Sequence, residues 1–500
     1  MKNKSIMRFA ALLLSLLMAA SSMAACSDAG QSGSETKAPT DGTAADTSAV
    51  TDAETSTYDL LSVPDANFDN YEFRMLAWSI SGYTIYEDLD SEGETGDLIN
   101  DAVYRRNTRV EEDYGVTFTA EYMAHDKLNT TYQQFVRASD QDYDIVFPLP
   151  SAISTVLNAN ILYDMYQLPY INWDEPWWDQ DSIKSLSLDG KLPMVNSDMT
   201  IMDNSGVACI LFNHKLREKY QLGNLYELVQ NNQWTFEKME ELCKDIKEDL
   251  NGDSKYDDND LWGLLGSKDS NYYLLHAGGG RYADKDDSDM PMITFGDERT
   301  LNLAQDVLSI TRADYFFDHH AFNGMDAMKE KMFSQDQGLF TTARMINVEN
   351  LRNMDTDYGF LPMPKYETSQ ENYYHSVSVH KSTIMTIPKT IENPERTATV
   401  VSALAAASTE TLQTAYYDYV LKEKYSRDEM VKQMLDIVRD GAQVNFTFAF
   451  STLFSPYTNC VLPTSTKEGV TKDIASKYEK NVKRWGKALD TLLESYEENT

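Results

Sequence analysis

The order of residue patterns between residues 71 and 147, together with chain length, predicts an α/β protein of two or three domains, with which a two-lobed body is compatible. Three observations carry this. Strand-like and helix-like periodicities alternate as β-α-β-α-β, the order that builds a largely parallel sheet with helices on its faces. Of the 500 residues, about 440 remain once the polar N-terminal stretch is set aside, more than one domain of ordinary size holds. The region from about Asn393 onward reads as helix-rich, so helices are added after the sheets.

The first strand is the short β-rich run Tyr71 to Leu76, just after Asn70. From Asp97 to Tyr114 the apolar positions Ile99, Val103, Val110 and Tyr114 recur at helical spacing, with Arg and Glu on the other face, and Gly115 ends the helix. Val116, Phe118, Ala120 and Tyr122 alternate with more polar residues as a half-buried strand. A polar helix follows through Asp140, and Tyr143 to Phe147 reads as a buried strand. Met239, Leu242, Cys243 and Ile246 share one helical face, which makes Cys243 a core residue. Trp234 precedes the N-cap candidate Thr235 and suits a helix staple. In the C-terminal part, Val400, Leu404 and Ala405 lie on an Ala-rich stretch. Met430, Met434 and Ile437 form one helical stripe, and Trp485, Leu489 and Leu493 another. These helices are expected to brace the first lobe, and the last four residues to fray.

The N-terminus has the layout of an export signal. Lys2, Lys4 and Arg8 precede an apolar run, Phe9 to Ala20, that is too short to span a bilayer comfortably. Ser22-Met-Ala-Ala-Cys26 then resembles the lipobox of bacterial lipoproteins, in which cleavage before Cys26 leaves a lipidated N-terminus. The alternative is cleavage near an Ala-x-Ala site with Cys26 incidental. From Ser27 to about Thr57 the chain is nearly all Ser, Thr, Ala, Gly, Asp and Glu and carries no aromatic residue. Such a segment buries too little apolar surface to fold. It reads as a tether with a reach of roughly 30 Å by random-coil scaling. No later stretch is apolar for long enough to cross a membrane, so the lipid is the expected anchor.

Composition excludes several classes. A formal net charge of -35 opposes nucleic acid as a partner, because phosphate binding needs clustered Lys and Arg. Beyond Cys26 only Cys209, Cys243 and Cys460 remain, an odd number at wide spacing, with neither a disulfide framework nor a zinc spacing. The sequence has no His-Glu-x-x-His, no Gly-x-Ser-x-Gly elbow, no Walker loop and no dinucleotide fingerprint. His319 and His320 are adjacent, so they do not share one helical face as paired metal ligands do, and they read as a surface or loop pair.

Several runs carry a family resemblance. DLINDAVYRRNTRVEEDYGVTF, DYDIVF, CILFNHKLREKY, QWTFEKMEELCKDI, YGFLPMPKY and IMTIPKT, in this order after a lipobox, resemble extracellular solute-binding proteins of the family 1 type, from about Tyr71 into the C-terminal helices. The resemblance implies a periplasmic-binding-protein-like fold: two α/β lobes joined by crossing segments, extra C-terminal helices, and a ligand held in the cleft between the lobes. It implies no enzyme activity. The expected role is capture of a small solute, a sugar or oligosaccharide, and delivery to the permease of an ABC importer by a lipid-anchored monomer outside the cytoplasm.

The expected segments are a signal at 1–25, the lipidated Cys26 and tether at 26–66, and the first lobe at 67–210. The second lobe follows at 211–337, and 338–500 supplies crossing segments and C-terminal helices that complete both lobes. A first crossing is placed near Val207 to Asn213, with Gly338 to Phe340 and Ile384 to Pro388 as candidate returns by analogy of fold. The 79 acidic residues leave open a carboxylate pair suited to glycoside hydrolysis. A lipid-anchored polysaccharide hydrolase or lyase is therefore one alternative, and a glycan-binding surface lipoprotein is another.

The 30 Tyr and 7 Trp suit sugar faces as well as cores. Trp78, at the end of the first strand, and the cluster Trp173, Trp177 and Trp178 are candidate cleft aromatics. Asp203, Asn204 and Asn213 flank the first crossing and are candidates for ligand hydroxyls, as is Tyr374, beside Tyr373 and His375. A separate pattern, Asp249, Asn251, Asp253, Lys255 through its carbonyl, Asp257 and Asp260, has the spacing of an EF-hand-type calcium loop and resembles dockerin-like loops. Ser254 stands where the usual glycine turns the chain, and Asp260 where a longer glutamate is usual. The expected ion is a structural calcium in the second lobe; the alternative is a solvated acidic turn.

Overall fold

The computed structural model describes residues 58, 61–79, 86–322, 326–351, 354–422, 429–446 and 474–497. The export signal, Cys26 and most of the tether lie outside the described residues, as does Cys460.

The first lobe is built as the periodicity predicts. Strand β1 (Tyr71–Ser79), helix α1 (Leu98–Tyr114), strand β2 (Val116–Ala124), helix α2 (His125–Ala138) and strand β3 (Ile145–Phe147) follow one another. β1 lies between β2 and β3 and runs parallel to both, in register Tyr71 with Val116 and Met75 with Ile145. Asp97 caps α1 by accepting from the amides of Ile99 and Asn100, and Gly115 closes it at φ 60°. A Cβ at Gly115 would sit 2.5 Å from the Asn67 side chain, so only glycine fits both the left-handed turn and the close approach. Alternate residues of β1 serve two cores. Phe73, Met75 and Ala77 pack with Val110, Val116 and Phe118, whereas Leu76 and Trp78 pack with Val103, Tyr132 and Phe135.

The second sheet holds β4 (Ala208–Asn213), β5 (Lys247–Glu248), β6 (Leu261–Gly266), β9 (Phe316–Asp318), β10 (Gly338–Arg344) and β11 (Tyr358–Leu361). A separate hairpin, β7 (Ala283–Lys285) and β8 (Pro291–Ile293), lies between β6 and β9 in the chain. The strand order is β11-β4-β10-β6-β5, with β9 also on β6. β6, β9 and β10 run parallel, and β4 runs antiparallel to β10 and β11. β4, β6 and β10 are buried along their whole length, which explains why they read as apolar runs rather than alternating ones.

Among the described residues, three segments run side by side between the two sheets. Val207 bridges to Val377, and β12 (His375–Ser376) pairs with β13 (Ala442–Gln443). Ser378 donates its amide to the Gly206 carbonyl at 3.0 Å. Gly338 to Phe340, one of the two candidate returns, is instead the start of β10 inside the second sheet. Ile384 to Pro388 does belong to the first lobe: Met385, Thr386 and Pro388 bridge to Val195, Val146 and Leu162.

Helix α3 (Pro394–Ser408), capped by Asn393, packs on α1 and braces the first lobe as expected. Helix α4 (Glu429–Asp440) packs on β11. The last helix, α5 (Ile474–Glu497), packs on β8 and on the helix Glu298–Ile310. It therefore covers the second lobe, a correction to the expectation that these helices brace the first. Among the described residues no helix is long and apolar enough to cross a membrane.

Candidate functional site

Open parallel sheets gather ligands beyond the carboxyl ends of their strands, because successive loops diverge there and leave a crevice. In this protein the carboxyl ends of both sheets meet the same crossing segment, Ser378 to Ser382. From the first lobe, Trp78 in β1 donates its indole N–H to the Ser382 carbonyl at 2.9 Å. Ser151, just past β3, donates its amide to the Val379 carbonyl at 3.1 Å. From the second lobe, Lys268 and Asp269, just past β6, act electrostatically on His380. Arg344, at the end of β10, acts on both His380 and Lys381.

The second-lobe wall of this crevice is a fixed charge network. Asp326 accepts from the Arg344 guanidinium at 2.5 Å and lies 4.0 Å from the Lys329 ammonium. Lys329 is buried and donates to the Thr342 carbonyl at 2.6 Å. Burial alone would raise the Asp326 carboxyl, but the charges of Lys329 and Arg344 outweigh it and hold the group well below the usual carboxylate range. Glu330 accepts from Asn347 and from Asn350, and Asp318 accepts from the His320 amide at 3.0 Å.

Burial, followed by the charge of Lys329, pushes His319 down to about 3, so its ring is neutral near pH 7. Burial, then Arg344, pushes Lys381 down to about 8. Lys268 and His380 are exposed and Asp269, Asp326 and Lys381 half-buried, so these present polar groups and charges of both signs to the crevice while Lys329, Arg344 and His319 are buried behind them, an arrangement suited to a polyhydroxylic solute.

A second cleft of about 530 Å³ lies where the wall of the first lobe meets the segments that return to the second. Asp179, Asp198 and Asp203 line it from one side, and Gln413, Tyr417 and Arg439 from the other. Asp203 accepts from the Asn204 amide at 2.9 Å and from Asn196 at 3.3 Å. Asp198 accepts from Thr409 at 2.6 Å. Burial, then the neighbouring carboxylate of Asp179, pushes Asp203 up to about 8. Burial likewise pushes Asp198 up to about 7 and Asp179 to about 6.

The structure distributes the sequence-predicted residues differently. Trp78 is 1% exposed and braces the crossing segment through its indole. Trp177 and Trp178 lie in the core of the first lobe, with the Trp173 and Trp178 rings 4.8 Å apart. Their expected role as cleft aromatics is corrected: burial leaves no ring face open to a solute. Asn213 is also corrected. It is fully buried, caps the next helix through Leu216 and donates to Asp336 at 2.7 Å. Because β4 runs antiparallel to β10, Asn213 falls at the edge of the sheet away from the crevice. Asp203 and Asn204 line the second cleft, with Asn204 donating to Gln413 at 2.6 Å. The Tyr374 ring lies 5.6 Å beneath the Arg281 guanidinium. His319, expected with His320 as a surface or loop pair, is 1% exposed and opens the 3-10 turn His319–Phe322.

In the loop Asp249 to Asp260, the Asp249 carboxylate accepts from the amides of Gly252 and Ser254, and Ser254 takes the left-handed φ of 66° that a glycine usually supplies. Asn251 accepts from the Asp253 amide, and Asp253 from the Lys255 amide. Asp260 is buried, and its two oxygens accept from the amides of Leu250 and Asp257. Among the described residues no group of three or more His, Cys, Asp or Glu side chains stands close enough to hold a metal.

No protein-family model and no curated protein matches the sequence. Solved structures do match in fold. The GacH receptor of Streptomyces glaucescens, solved unliganded and with acarbose, aligns with a TM-score of 0.53 at 11% identity, over 83% of this chain and 99% of that one. An ABC transporter solute-binding protein from Thermotoga lettingae bound with α-D-tagatose aligns with a TM-score of 0.52 at 12% identity, over 84% and 100%. A cyclo/maltodextrin-binding protein complexed with maltotetraose aligns with a TM-score of 0.51 at 12% identity, over 85% and 96%. With its two sheets and three side-by-side crossing segments, the chain therefore has the two-lobed, periplasmic-binding-type α/β fold of these solute-binding proteins.

Proposed function

We propose that this protein is a lipid-anchored solute-binding protein that captures a sugar or oligosaccharide between its lobes, outside the cytoplasm, and delivers it to an ABC importer. The observation that carries the reading is the convergence of the carboxyl ends of both sheets on Ser378 to Ser382, beside the polar network of Lys268, Asp269, Asp326, Arg344 and Lys381. A solute held there touches both lobes and favours the arrangement in which they approach, which lets a transporter tell loaded from empty protein. The sugars bound by the aligned proteins support the chemical class. The lipobox-like Ser22 to Cys26 and the polar segment after it support the anchor.

A thermal-shift screen against mono- and oligosaccharides, amino acids, peptides and polyamines tests the reading. A sugar is expected to raise Tm in proportion to the logarithm of its concentration without being consumed, because a ligand that binds only the folded state stabilises it. Turnover of a glycan would transfer the assignment to the hydrolase. No shift with any small solute would transfer it to the glycan-binding surface lipoprotein.

Calcium at the loop Asp249 to Asp260 belongs to the same proposal. Its donors would be Asp249, Asn251, Asp253, the Lys255 carbonyl, Asp257 and Asp260, and the ion would tie a long acidic loop together. The turn already made around Asp249 supports the fit, whereas Asp260 would have to give up its amide contacts. Titration calorimetry is expected to record heat at millimolar calcium; a flat trace removes the ion from the account.

A further inference from the structure

The lobes also touch through two tight turns, one from each lobe, well separated in sequence from the three crossing segments. In the first lobe the chain reverses at Asp189 and Gly190, which hold left-handed φ values of 50° and 71°, and Leu188 bridges back to Lys191. In the second lobe the hairpin β7–β8 reverses between Asp286 and Met290, with Asp289 at φ 63°. The second turn grips the first. The Asp289 carboxylate accepts from the Ser187 hydroxyl at 2.9 Å and from the Gly190 amide at 3.1 Å. The Lys285 ammonium donates to the Ser187 carbonyl at 3.0 Å, to its hydroxyl at 2.7 Å, and to the Asp289 carboxylate.

This contact differs from an ordinary surface ion pair. The Lys285 side chain is only 8% exposed, so its charge is shielded from water and depends on the partners it has here. Separating the turns would leave that ammonium with only Asp289 and would expose the first-lobe amide of Gly190. Two rigid turns joined by directional hydrogen bonds also transmit angle, because neither side has a long flexible side chain to absorb a rotation except Lys285 itself.

We infer that the Lys285–Asp289 hairpin and the Ser187–Gly190 turn form a clasp that, together with the crossing segments, fixes the angle between the lobes. The inference stands on the fold and its contacts, not on the sugar reading. Any movement of one lobe against the other would have to strain or release this clasp, so the clasp sets part of the balance between the lobe arrangements.

Single-molecule energy transfer tests this in the full chain with Cys26 and Cys460 changed to Ser. Dyes are attached through Lys127→Cys on α2 and Glu237→Cys on the helix Phe236–Cys243; Cys209 and Cys243 are buried and do not compete. Without any solute, Asp289→Ala is expected to broaden or shift the interlobe distance distribution relative to the unmodified clasp. Lys285→Met, which keeps the apolar stem, is expected to do the same with the fold intact. Unchanged distributions in both variants overturn the clasp. A changed distribution in a protein that binds no sugar would leave the clasp standing and remove the functional reading.

Discussion

Asp203 carries an ionisation cost that is readable in solution. It lines the second cleft with Asp179 and Asp198, and burial pushes its carboxyl up to about 8. Between the unfolded value near 4 and this folded value, the folded protein holds a proton that the unfolded chain releases. The contribution to stability is therefore greatest at the acid end of the window and falls as pH rises through it. Asp198 and Asp179, pushed up to about 7 and about 6, add slopes of the same sign. Asp203→Asn is expected to flatten this dependence and to stabilise the protein at pH 8.5 by about 1 kcal/mol, part of the cost being screened at the open cleft wall. Denaturant melts at pH 5 and 8.5 check it, and an equal pH slope in the variant would contradict it. At this scale the sequence was a poor guide to the crevice. Trp78, Trp177 and Trp178 signalled a sugar platform, yet large apolar rings are worth most when covered, and the core takes them. Lys268, Asp326, Arg344 and Lys381 gave no local pattern because they are distant in sequence and meet only through the sheet ends. The available hint was position: Lys268, Asp269 and Arg344 stand at or just past the ends of long buried strands.

Elements were far more legible than sites, and the reason is period. α1 begins after its Asp97 cap and ends at Gly115, as the helical spacing and the glycine predict. β2 starts at the next residue and runs on through the alternating stretch. Gly338 to Phe340 was misplaced because a fully buried strand and a crossing segment are both short apolar runs, and only pairing partners distinguish them. One element-level feature has a direct test. A Cβ on Gly206 would lie 2.8 Å from the Lys381 carbonyl, where two crossing segments pass each other. Gly206→Ala is expected to force these backbones apart at a cost of about 1–3 kcal/mol, lowering Tm. It should also change solute affinity more than a core substitution of equal cost, because it moves the segment that carries His380 and Lys381. A melt and a titration that match wild type would place the segments farther apart than described.

For the whole molecule, the formal net charge of -35 favours solubility and leaves affinity to local geometry. The two sheets, the crossing segments between them and the crevice at their carboxyl ends form one body. Capture of a solute requires that it sit in the crevice between the lobes. The measurement that tests it most directly is titration calorimetry with the sugar that gives the largest thermal shift, on wild type and on Asp269→Asn and Lys381→Met. One site per chain is expected in wild type and at least about a tenfold loss of affinity in each variant, roughly 1.4 kcal/mol, with the melting behaviour without sugar little changed. Wild-type affinity in both variants, or no sugar that binds at all, would contradict it.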